Sequence, residues 1–455
     1  MISTRFLVVS FCFIIFCSSS TITFAYSNSF SSNYTTSAHF SFDIDQIISY
    51  DYSAQIVDVE VSSTGNYFVL ANSIDNSHQE CLLVKLDPSG SELWRKTLFS
   101  NSSFTFGSSL LLTTNDGVIL AGSRSYVDYT SYYLWLSLIN SSGQTVWSKT
   151  DSGYSEQIMN GLLKVDNSSF LVYGTSKNNN LKDIFIKKFD NLGHQLWAKL
   201  FSTGNNNIPS DIITTSDGGF LLATYSGGDI VLIKTDYTGQ QSWQKSYNHS
   251  LDYSDKLLLL PNNDFLVTGV TWNNSNILKS NFDIWMFEIN DQGTPLWNNF
   301  LTNPESDYIS DVFSTQDNGF LMFGYEFQSN IWISNLNSTG SILWKDKVGE
   351  TDKTFLLSSI KQVDSTHFIA GGYKRPNIVN NLSDDFWSLW FVKISLTSDS
   401  VPFNPDRFIS FPDLTVLSSF SSGPSSTNSH SVSGFLLMPF ACVILLLTAK
   451  KKFSS

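Results

Sequence analysis

Hydrophobic residues in this chain are grouped into short runs, and polar turn residues separate one run from the next. The runs at 82–86 and 230–233 contain five and four residues and are rich in Leu, Ile and Val. Such lengths and compositions are typical of buried strands, because a helix needs a longer segment with a 3.6-residue period. Asx-Gly pairs such as Asp217-Gly218 lie between runs and favour tight hairpin turns. The pattern therefore predicts an all-β chain of antiparallel strands.

The motif [Asp/Asn]-x-x-Gly-x-x-x-Trp occurs six times, with successive tryptophans 46 to 54 residues apart. A motif at this period, with room for four short strands, predicts the blades of a β-propeller. We expect the Asx side chain to hydrogen-bond the turn, the glycine to take a left-handed conformation, and the tryptophan to pack between neighbouring blades. The motif residues are Gly90, Gly143, Gly193, Gly239, Gly293 and Gly340, with Trp94, Trp147, Trp197, Trp243, Trp297 and Trp344.

The first three strands of the repeat occur seven times, although the tryptophan strand occurs only six times. Residues 39–44 alternate apolar and polar side chains and precede the first repeat at the spacing of a strand. We therefore expect this N-terminal strand to complete the last blade and close the ring. The predicted fold is an all-β, seven-bladed propeller of four-stranded antiparallel blades over residues 38–398. The seven copies begin near Ile56, Leu110, Ile158, Ile212, Leu257, Ile309 and Leu356.

The repeat resembles that of the PQQ-like, or quinoprotein-type, β-propeller superfamily, and most closely its secreted or surface-anchored non-enzymatic members. The resemblance is carried by Asp217-Gly218-Gly219-Phe220, followed by Asp236, Gly239 and Trp243. It implies the propeller fold over residues 38–398. Quinone-dependent members often have adjacent cysteines near the cofactor, and this chain has none. We therefore expect no cofactor.

The two ends of the chain predict a surface location. Residues 1–25 contain a positive charge, an apolar stretch and small residues before the expected cleavage site, which is typical of a secretory signal peptide. A linker at 26–37 precedes the propeller, and a Ser/Pro-rich stalk at 399–433 follows it. Residues 434–449 carry no charge and precede a basic cytoplasmic tail at 450–455. We expect a transmembrane helix that leaves the propeller extracellular; a cleaved sorting tail and a buried strand are the alternatives.

The net charge of −13, without a basic patch, argues against nucleic acid as a partner. Cys81 is the one cysteine outside the predicted leader and anchor, so the predicted propeller contains no disulfide. The sequence also contains eight Asn-x-Ser/Thr sites, which predict a glycoprotein. Chance in an Asn/Ser-rich chain explains such sites equally well. The candidate sites are Asn33, Asn101, Asn140, Asn167, Asn248, Asn273, Asn337 and Asn381.

No set of residues in the sequence matches a known catalytic or metal-binding motif, and the six histidines are scattered over different repeats. An acidic residue after Ser or Thr nevertheless recurs near the start of the first strand of five repeats. Such residues could form a ring at the channel mouth that holds a cation or a cationic ligand. The alternative is that each residue caps its own turn or bonds the backbone of the next blade. The five residues are Glu156, Asp211, Asp255, Asp307 and Asp352.

These features predict a non-catalytic binding or adhesion scaffold for an extracellular protein or glycan. The insertions at 125–133, 177–182, 272–281 and 374–384 vary most between repeats, and their Asn, Ser and Tyr content is typical of recognition loops. One alternative is an extracellular quinone- or calcium-dependent enzyme with its site in the channel. Another is a structural component of a surface layer.

Overall fold

The computed structural model describes residues 39–48, 53–73, 80–98, 104–125, 132–151, 156–178, 180–250, 252–273, 281–302, 307–315, 317–326, 330–348, 353–376 and 387–397. The signal peptide, linker, stalk, membrane anchor and basic tail predicted above lie outside these residues. No helix in the described ranges is long and apolar enough to cross a bilayer.

The described residues form strands β1 (His39–Ile48), β2 (Ala54–Val61), β3 (Tyr67–Ser73), β4 (Cys81–Leu86), β5 (Glu92–Leu98), β6 (Phe104–Leu112), β7 (Val118–Ser125), β8 (Tyr133–Ile139), β9 (Thr145–Asp151), β10 (Gln157–Lys164), β11 (Ser169–Asn178), β12 (Leu181–Asp190), β13 (Gln195–Phe201), β14 (Asn207–Thr214), β15 (Phe220–Ser226), β16 (Asp229–Thr235), β17 (Gln241–Tyr247), β18 (Asp252–Leu259), β19 (Phe265–Asn273), β20 (Asn281–Ile289), β21 (Pro295–Leu301), β22 (Asp307–Ser314), β23 (Phe320–Glu326), β24 (Ile331–Leu336), β25 (Ile342–Val348), β26 (Lys353–Gln362), β27 (His367–Pro376) and β28 (Ser388–Thr397).

The strands form seven four-stranded antiparallel sheets, which are the blades of a seven-bladed propeller. Blades 1 to 6 each contain four consecutive strands, from β2–β5 in blade 1 to β22–β25 in blade 6. Blade 7 has the order β1-β28-β27-β26, in which β1 pairs antiparallel with β28 and Phe40 lies opposite Leu396.

The hydrophobic core lies mainly between neighbouring blades, because the second and third strands of each blade are apolar on both faces. One cluster contains Ile230 of blade 4 and Phe287 of blade 5. Another joins Ile56 of blade 1 to Ile369 and Phe391 of blade 7, so the first and last blades also pack together. Side chains buried at each seam hold the blades in a fixed arrangement.

The motif turns connect the third and fourth strands, and the Asx side chain organises each of them. In the first turn, Asp87 Oδ1 accepts hydrogen bonds from the main-chain nitrogens of Ser89 and Ser91, at 2.8 and 2.9 Å. The same pair of bonds recurs at the other five Asx residues. All six motif glycines have φ between +70° and +86°, a region that glycine enters without steric cost.

Each motif glycine also receives a side chain from the preceding blade, which in blades 2 to 6 is the motif tryptophan. A Cβ atom at Gly143 would lie 3.3 Å from the Trp94 ring, and Trp94 Nε1 donates to the Ser141 carbonyl oxygen at 3.2 Å. The glycine of blade 1 differs, because β1 replaces a motif strand there and Gln46 lies against Gly90. These five tryptophans therefore dock half-buried over the next blade's turn, whereas Trp344 is buried in the cluster between blades 6 and 7.

The innermost strand of every blade contains a β-bulge at the same register. In each case one residue of this strand has no partner on the second strand of the blade, as for Asp255 between Ser254 and Lys256. The bulge makes two successive residues face the inner side of the blade, which places polar groups near the ring axis. The unpaired residue, called the bulge residue here, is in chain order Val57, Ser108, Asn160, Ser210, Asp255, Ser310 or Ser358.

Candidate functional site

The predicted ring of carboxylates does not occupy one register position. Asp255 is the bulge residue of β18, Asp211 follows the bulge residue of β14, and Asp307 precedes the bulge of β22 by three residues. Glu156 lies just before β10, and Asp352 lies outside the described residues. The prediction of equivalent positions is therefore wrong. The chain segments that connect blades differ in length, so the sequence order of these residues does not fix their register.

Two of these carboxylates are balanced by a lysine of their own blade. Asp307 is buried, and its Oδ2 atom lies 3.3 Å from Lys345 Nζ. Glu156 Oε2 lies 3.5 Å from Lys177 Nζ. Each of these two carboxylates therefore has its counter-charge within its own blade.

Aspartates directly after the bulge hydrogen-bond across the seam between two blades. Asp211 Oδ1 accepts from the nitrogen of Ile212 in its own strand, and Oδ2 accepts from the nitrogen of Leu257 in blade 5, both at 2.9 Å. Asp58 makes the corresponding contacts between blades 1 and 2, and Asp311 accepts from its own strand. For Asp211 the alternative interpretation, a bond to the backbone of the next blade, is thus confirmed.

Lysines from two blades lie among these aspartates. Lys361 Nζ of blade 7 lies 3.3 Å from Glu60 Oε1 and 4.0 Å from Asp58 Oδ1. Lys256 of blade 5 interacts electrostatically with Asp311 of blade 6 and Asp211 of blade 4. Acidic and basic side chains thus alternate from blade 4 through blade 7 to blade 1. The inner charged cluster consists of Asp58, Glu60, Asp211, Lys256, Asp311 and Lys361.

The cluster shifts the ionisation of its own members. The Asp311 carboxylate, followed by that of Asp211, raises the pKa of Lys256 against the opposing effect of burial. Burial opposes the charge of Lys361, but Asp58 and Glu60 outweigh it and raise its pKa. Burial raises the pKa of Asp211 and of Glu60, and the neighbouring lysines offset part of each shift. The lysines are therefore held charged by the carboxylates around them.

The bulge residues make a second set of contacts across the seams. Ser108 Oγ donates to the carbonyl oxygen of Met159, and Asn160 Nδ2 donates to that of Pro209, at 3.2 and 2.8 Å. Ser310 Oγ donates to the next blade in the same way. Asp255 occupies this position in blade 5, and its buried Oδ2 atom has no hydrogen-bond partner among the described residues. Burial raises the pKa of Asp255 to about 7, and the positive charge of Lys256 offsets only part of the shift.

The histidines among the described residues lie at turns or strand ends and not in the inner charged cluster. His194 and His367 are paired with Asp190 and Asp364 of their own turns, and the ring of His249 lies 3.2 Å from Thr271 Oγ1. Within the described ranges, no group of three or more His, Cys, Asp or Glu side chains is arranged to hold a metal ion. The inner charged cluster offers paired charges and hydrogen bonds, which stabilise the seams.

Aromatic side chains collect at one end of blades 4 to 6. Tyr225 stacks on Tyr253 with ring centroids 4.4 Å apart, and Tyr308 stacks on Tyr325 at 5.2 Å. Phe282 links the pairs, because its ring lies 6.2 Å from Tyr253 and 6.1 Å from Tyr308. Of these five side chains and the neighbouring Trp272, Tyr325 is buried and the other five are half-buried. The aromatic band consists of Tyr225, Tyr253, Trp272, Phe282, Tyr308 and Tyr325.

The band lies on the propeller face where the second and third strands of each blade are joined. In blade 5, Trp272 lies opposite Phe282 at the ends of β19 and β20, next to the predicted recognition loop at 272–281. The opposite face carries the Asx-Gly turns, where exposed Tyr237 lies. The two faces therefore differ in chemistry: one presents aromatic rings and variable loops, the other short polar turns.

The structure also separates the candidate glycosylation sites. Asn140 and Asn337 use their side-chain oxygens in the motif turns, whereas Asn167 and Asn248 are exposed. Asn273 ends β19, and the other three candidates lie outside the described residues: Asn33, Asn101 and Asn381. Cys81 is a free thiol that is buried in β4.

Sequence reasoning missed Asp58, Glu60, Asp311 and the two lysines of the inner charged cluster. A signal for the aspartates is present, because in the first strand of three repeats Asp is followed by Val or Ile: Asp58-Val59, Asp211-Ile212 and Asp311-Val312. This pattern does not reveal Lys256, which takes the register position of the aspartate in blade 5. Its role becomes clear only when the blades are arranged side by side.

No protein-family model matches the sequence, and no curated protein matches it. Its fold is similar to that of solved structures. A protein of unknown function from Dyadobacter fermentans DSM 18053 matches with 10% identity and a TM-score of 0.44, over 79% of this chain and 99% of its own. Puromycin hydrolase matches with 7% identity and a TM-score of 0.47, over 70% of this chain and 50% of its own. Similarity at these identities concerns the fold alone, and we draw no conclusion about activity from it.

Proposed function

We propose that this protein is a membrane-anchored propeller of the cell surface that binds an extracellular protein or glycan without catalysis. The aromatic band carries the proposal. Its half-buried rings offer a large contact area, and the strands that hold them reduce the entropy lost on binding. Variable loops beside the band add adaptable polar contacts, which is the composition of many recognition surfaces.

The location and the family membership in this proposal rest on the sequence. The leader and the apolar C-terminal segment support secretion and anchoring. The motif supports membership of the PQQ-like propeller superfamily as a member without a cofactor. We also propose that β1 closes the ring, because its pairing with β28 joins the two ends of the propeller. A closed ring would hold the aromatic band on a rigid frame.

The proposal is tested with the full-length chain displayed on cells. Binding of these cells to a glycan array and to other intact cells is measured. We expect Tyr253→Ala and Tyr308→Ala each to weaken binding about tenfold or more, because aromatic anchors dominate such interfaces. Tyr237→Ala is the matched control, since this tyrosine is 68% exposed on the opposite face. Deleting residues 434–455 should release the binding activity into the medium.

Equal losses in the control and in the band variants would show that the binding face has been assigned wrongly. Retention of the truncated chain on cells would contradict the anchor. The enzyme alternative predicts a different result: Ca²⁺ or PQQ would raise the melting temperature of the chain. Asp211→Asn should then abolish that rise if the site lies in the channel.

A further inference from the structure

Asp255 departs from a contact that three other blades repeat. In blades 2, 3 and 6 the bulge residue donates a side-chain hydrogen bond to the next blade, to the carbonyl oxygen of the residue before that blade's own bulge. In blade 4 the Ser210 hydroxyl lies 2.8 Å from the Ser254 hydroxyl of blade 5, where either oxygen can donate, and it also donates to the Ala223 carbonyl oxygen of its own blade at 3.3 Å. The equivalent acceptor for Asp255 is the carbonyl oxygen of Ile309 in β22.

A carboxylate cannot make this contact, because it has only acceptor atoms. Asp255 Oδ2 is buried and has no partner among the described residues, which is costly for a charged oxygen. Asn160 shows what the position requires: it has nearly the shape of aspartate, and its amide donates to Pro209 at 2.8 Å. A protonated carboxyl would satisfy the same geometry.

We propose that Asp255 is protonated in the folded protein at acidic to neutral pH, donates a hydrogen bond to β22 at Ile309, and weakens the seam between blades 5 and 6 when it ionises. Burial supports this assignment, because it raises the pKa of Asp255 to about 7. The device is a proton-sensitive joint at one seam of the ring.

The charges around β18 do not remove the effect. Lys256 on the same strand favours the ionised form, but burial outweighs it. The neighbouring strand β19 carries no ionisable residue. The ionisable groups of the other packed strands are Asp211 on β14, Tyr225 on β15, Asp229 and Lys234 on β16, and Asp307, Tyr308 and Asp311 on β22.

The sign of the pH dependence follows from the direction of the shift. The unfolded chain releases this proton near pH 4, whereas the folded chain holds it until about pH 7. The stabilising contribution is therefore complete below about pH 4 and is lost as the pH rises through about 7. Between about pH 5 and about pH 8.5 the folding equilibrium constant falls by at most about 100-fold from this group alone. The Asp255 side chain as a whole is half-buried, and solvent screening reduces the effect to roughly tenfold or more.

The test compares unfolding of the full-length chain in urea at these two pH values. Asp255→Asn supplies the amide donor of blade 3 and cannot ionise. We expect its folding constant to depend less on pH, so that its advantage over the unchanged protein grows by roughly tenfold or more between about pH 5 and about pH 8.5. Asn160→Asp is the reciprocal control, because it places a carboxyl at the same register position in blade 3. It should lower the folding constant mainly at the higher pH.

Loss of stability in Asp255→Asn at both pH values would overturn the proposal, since it would show that an ionised Asp255 accepts a bond that the amide cannot. An unchanged pH dependence would overturn it as well. Infrared difference spectra add a direct readout, because the carboxylic acid band that disappears near pH 7 should be missing in Asp255→Asn. None of these readouts needs a binding partner, so they stand or fall apart from the proposed function.

One consequence rests on the proposed function. Tyr253 lies two residues before Asp255, and Tyr308 directly precedes Ile309, so two of the four tyrosines of the aromatic band lie on the strands that this joint connects. Loosening the joint should weaken partner binding above about pH 7, and Asp255→Asn should remove that loss. Loss of binding at every pH would instead count against the proposed function.

Discussion

Replacing Asp58 by alanine should destabilise the propeller more than the loss of any surface carboxylate. Asp58 is 7% exposed and accepts four hydrogen bonds. Its Oδ1 atom accepts from Val59 N at 3.0 Å and from Ser359 Oγ at 2.8 Å. Its Oδ2 atom accepts from Ser109 Oγ and Leu110 N, both at 2.9 Å. One carboxylate thus joins blades 7, 1 and 2.

The magnitude follows from what the substitution leaves behind. A hydrogen bond to a charged group contributes about 1.5–3 kcal/mol, and an unsatisfied buried N–H costs about 1–3 kcal/mol. Leu110 N loses its Asp58 partner, and Lys361 loses one of the carboxylates that hold it charged. Because such terms are not additive, we expect Asp58→Ala to lower the free energy of unfolding by about 3–5 kcal/mol. That is a large part of the ~5–15 kcal/mol typical of a folded protein.

Urea unfolding of the full-length chain, with the slopes of the transitions compared, measures this loss. Asp116→Ala is the matched control, because Asp116 also accepts two hydrogen bonds from blade 1, from Ser63 and Thr64, but at an exposed position. We expect it to cost about 1 kcal/mol or less, including the cost of placing alanine at the positive φ of residue 116. Values for the two variants that agree within about 1 kcal/mol would refute the reasoning, since burial would then make no difference.

Two further substitutions test the contacts between blades. Gly239→Ala should destabilise more than Gly204→Ala: both glycines have positive φ, but a Cβ at Gly239 would lie 2.9 Å from the Trp197 ring and one at Gly204 would meet nothing within 4 Å. Backbone strain costs about 1–2 kcal/mol at either glycine, so only the contact with the tryptophan ring should distinguish the two variants. Equal losses of stability in thermal unfolding would contradict a docking role for the tryptophan. Deleting residues 39–48 should expose the outer edge of β28, which stays paired with β27, and promote aggregation, and a synthetic peptide of these residues should restore a monomer in sedimentation. Failure of the peptide to bind would contradict ring closure by β1.

The repeat explains why the fold could be predicted and the inner site could not. The Asx-Gly turns and the number of blades follow from local chemistry, because Asp87 and Gly90 act within five residues of each other. The inner contacts depend instead on register. Ser210-Asp211 and Ser254-Asp255 look equivalent in the sequence, yet the bulge falls on Ser210 in one strand and on Asp255 in the other. At the position after the bulge, a carboxylate accepts a hydrogen bond from the next blade. A shift of one residue places it at the bulge position instead, where a hydrogen-bond donor is needed.

Blade 5 therefore stands apart from its neighbours for a physical reason. Where blades 1, 4 and 6 have an aspartate after the bulge, it has Lys256, and its bulge residue is Asp255. A repeat protein that needs only stability has no cause to exchange a satisfied contact for an unsatisfied one, because each seam is stabilised by its own nearest-neighbour contacts. Local rules are usually broken where function constrains the residue. The same blade provides Tyr253, Trp272 and Phe282 of the aromatic band. The departure from the repeat and the recognition chemistry thus coincide, which makes the seam between blades 5 and 6 the place to look for control of binding.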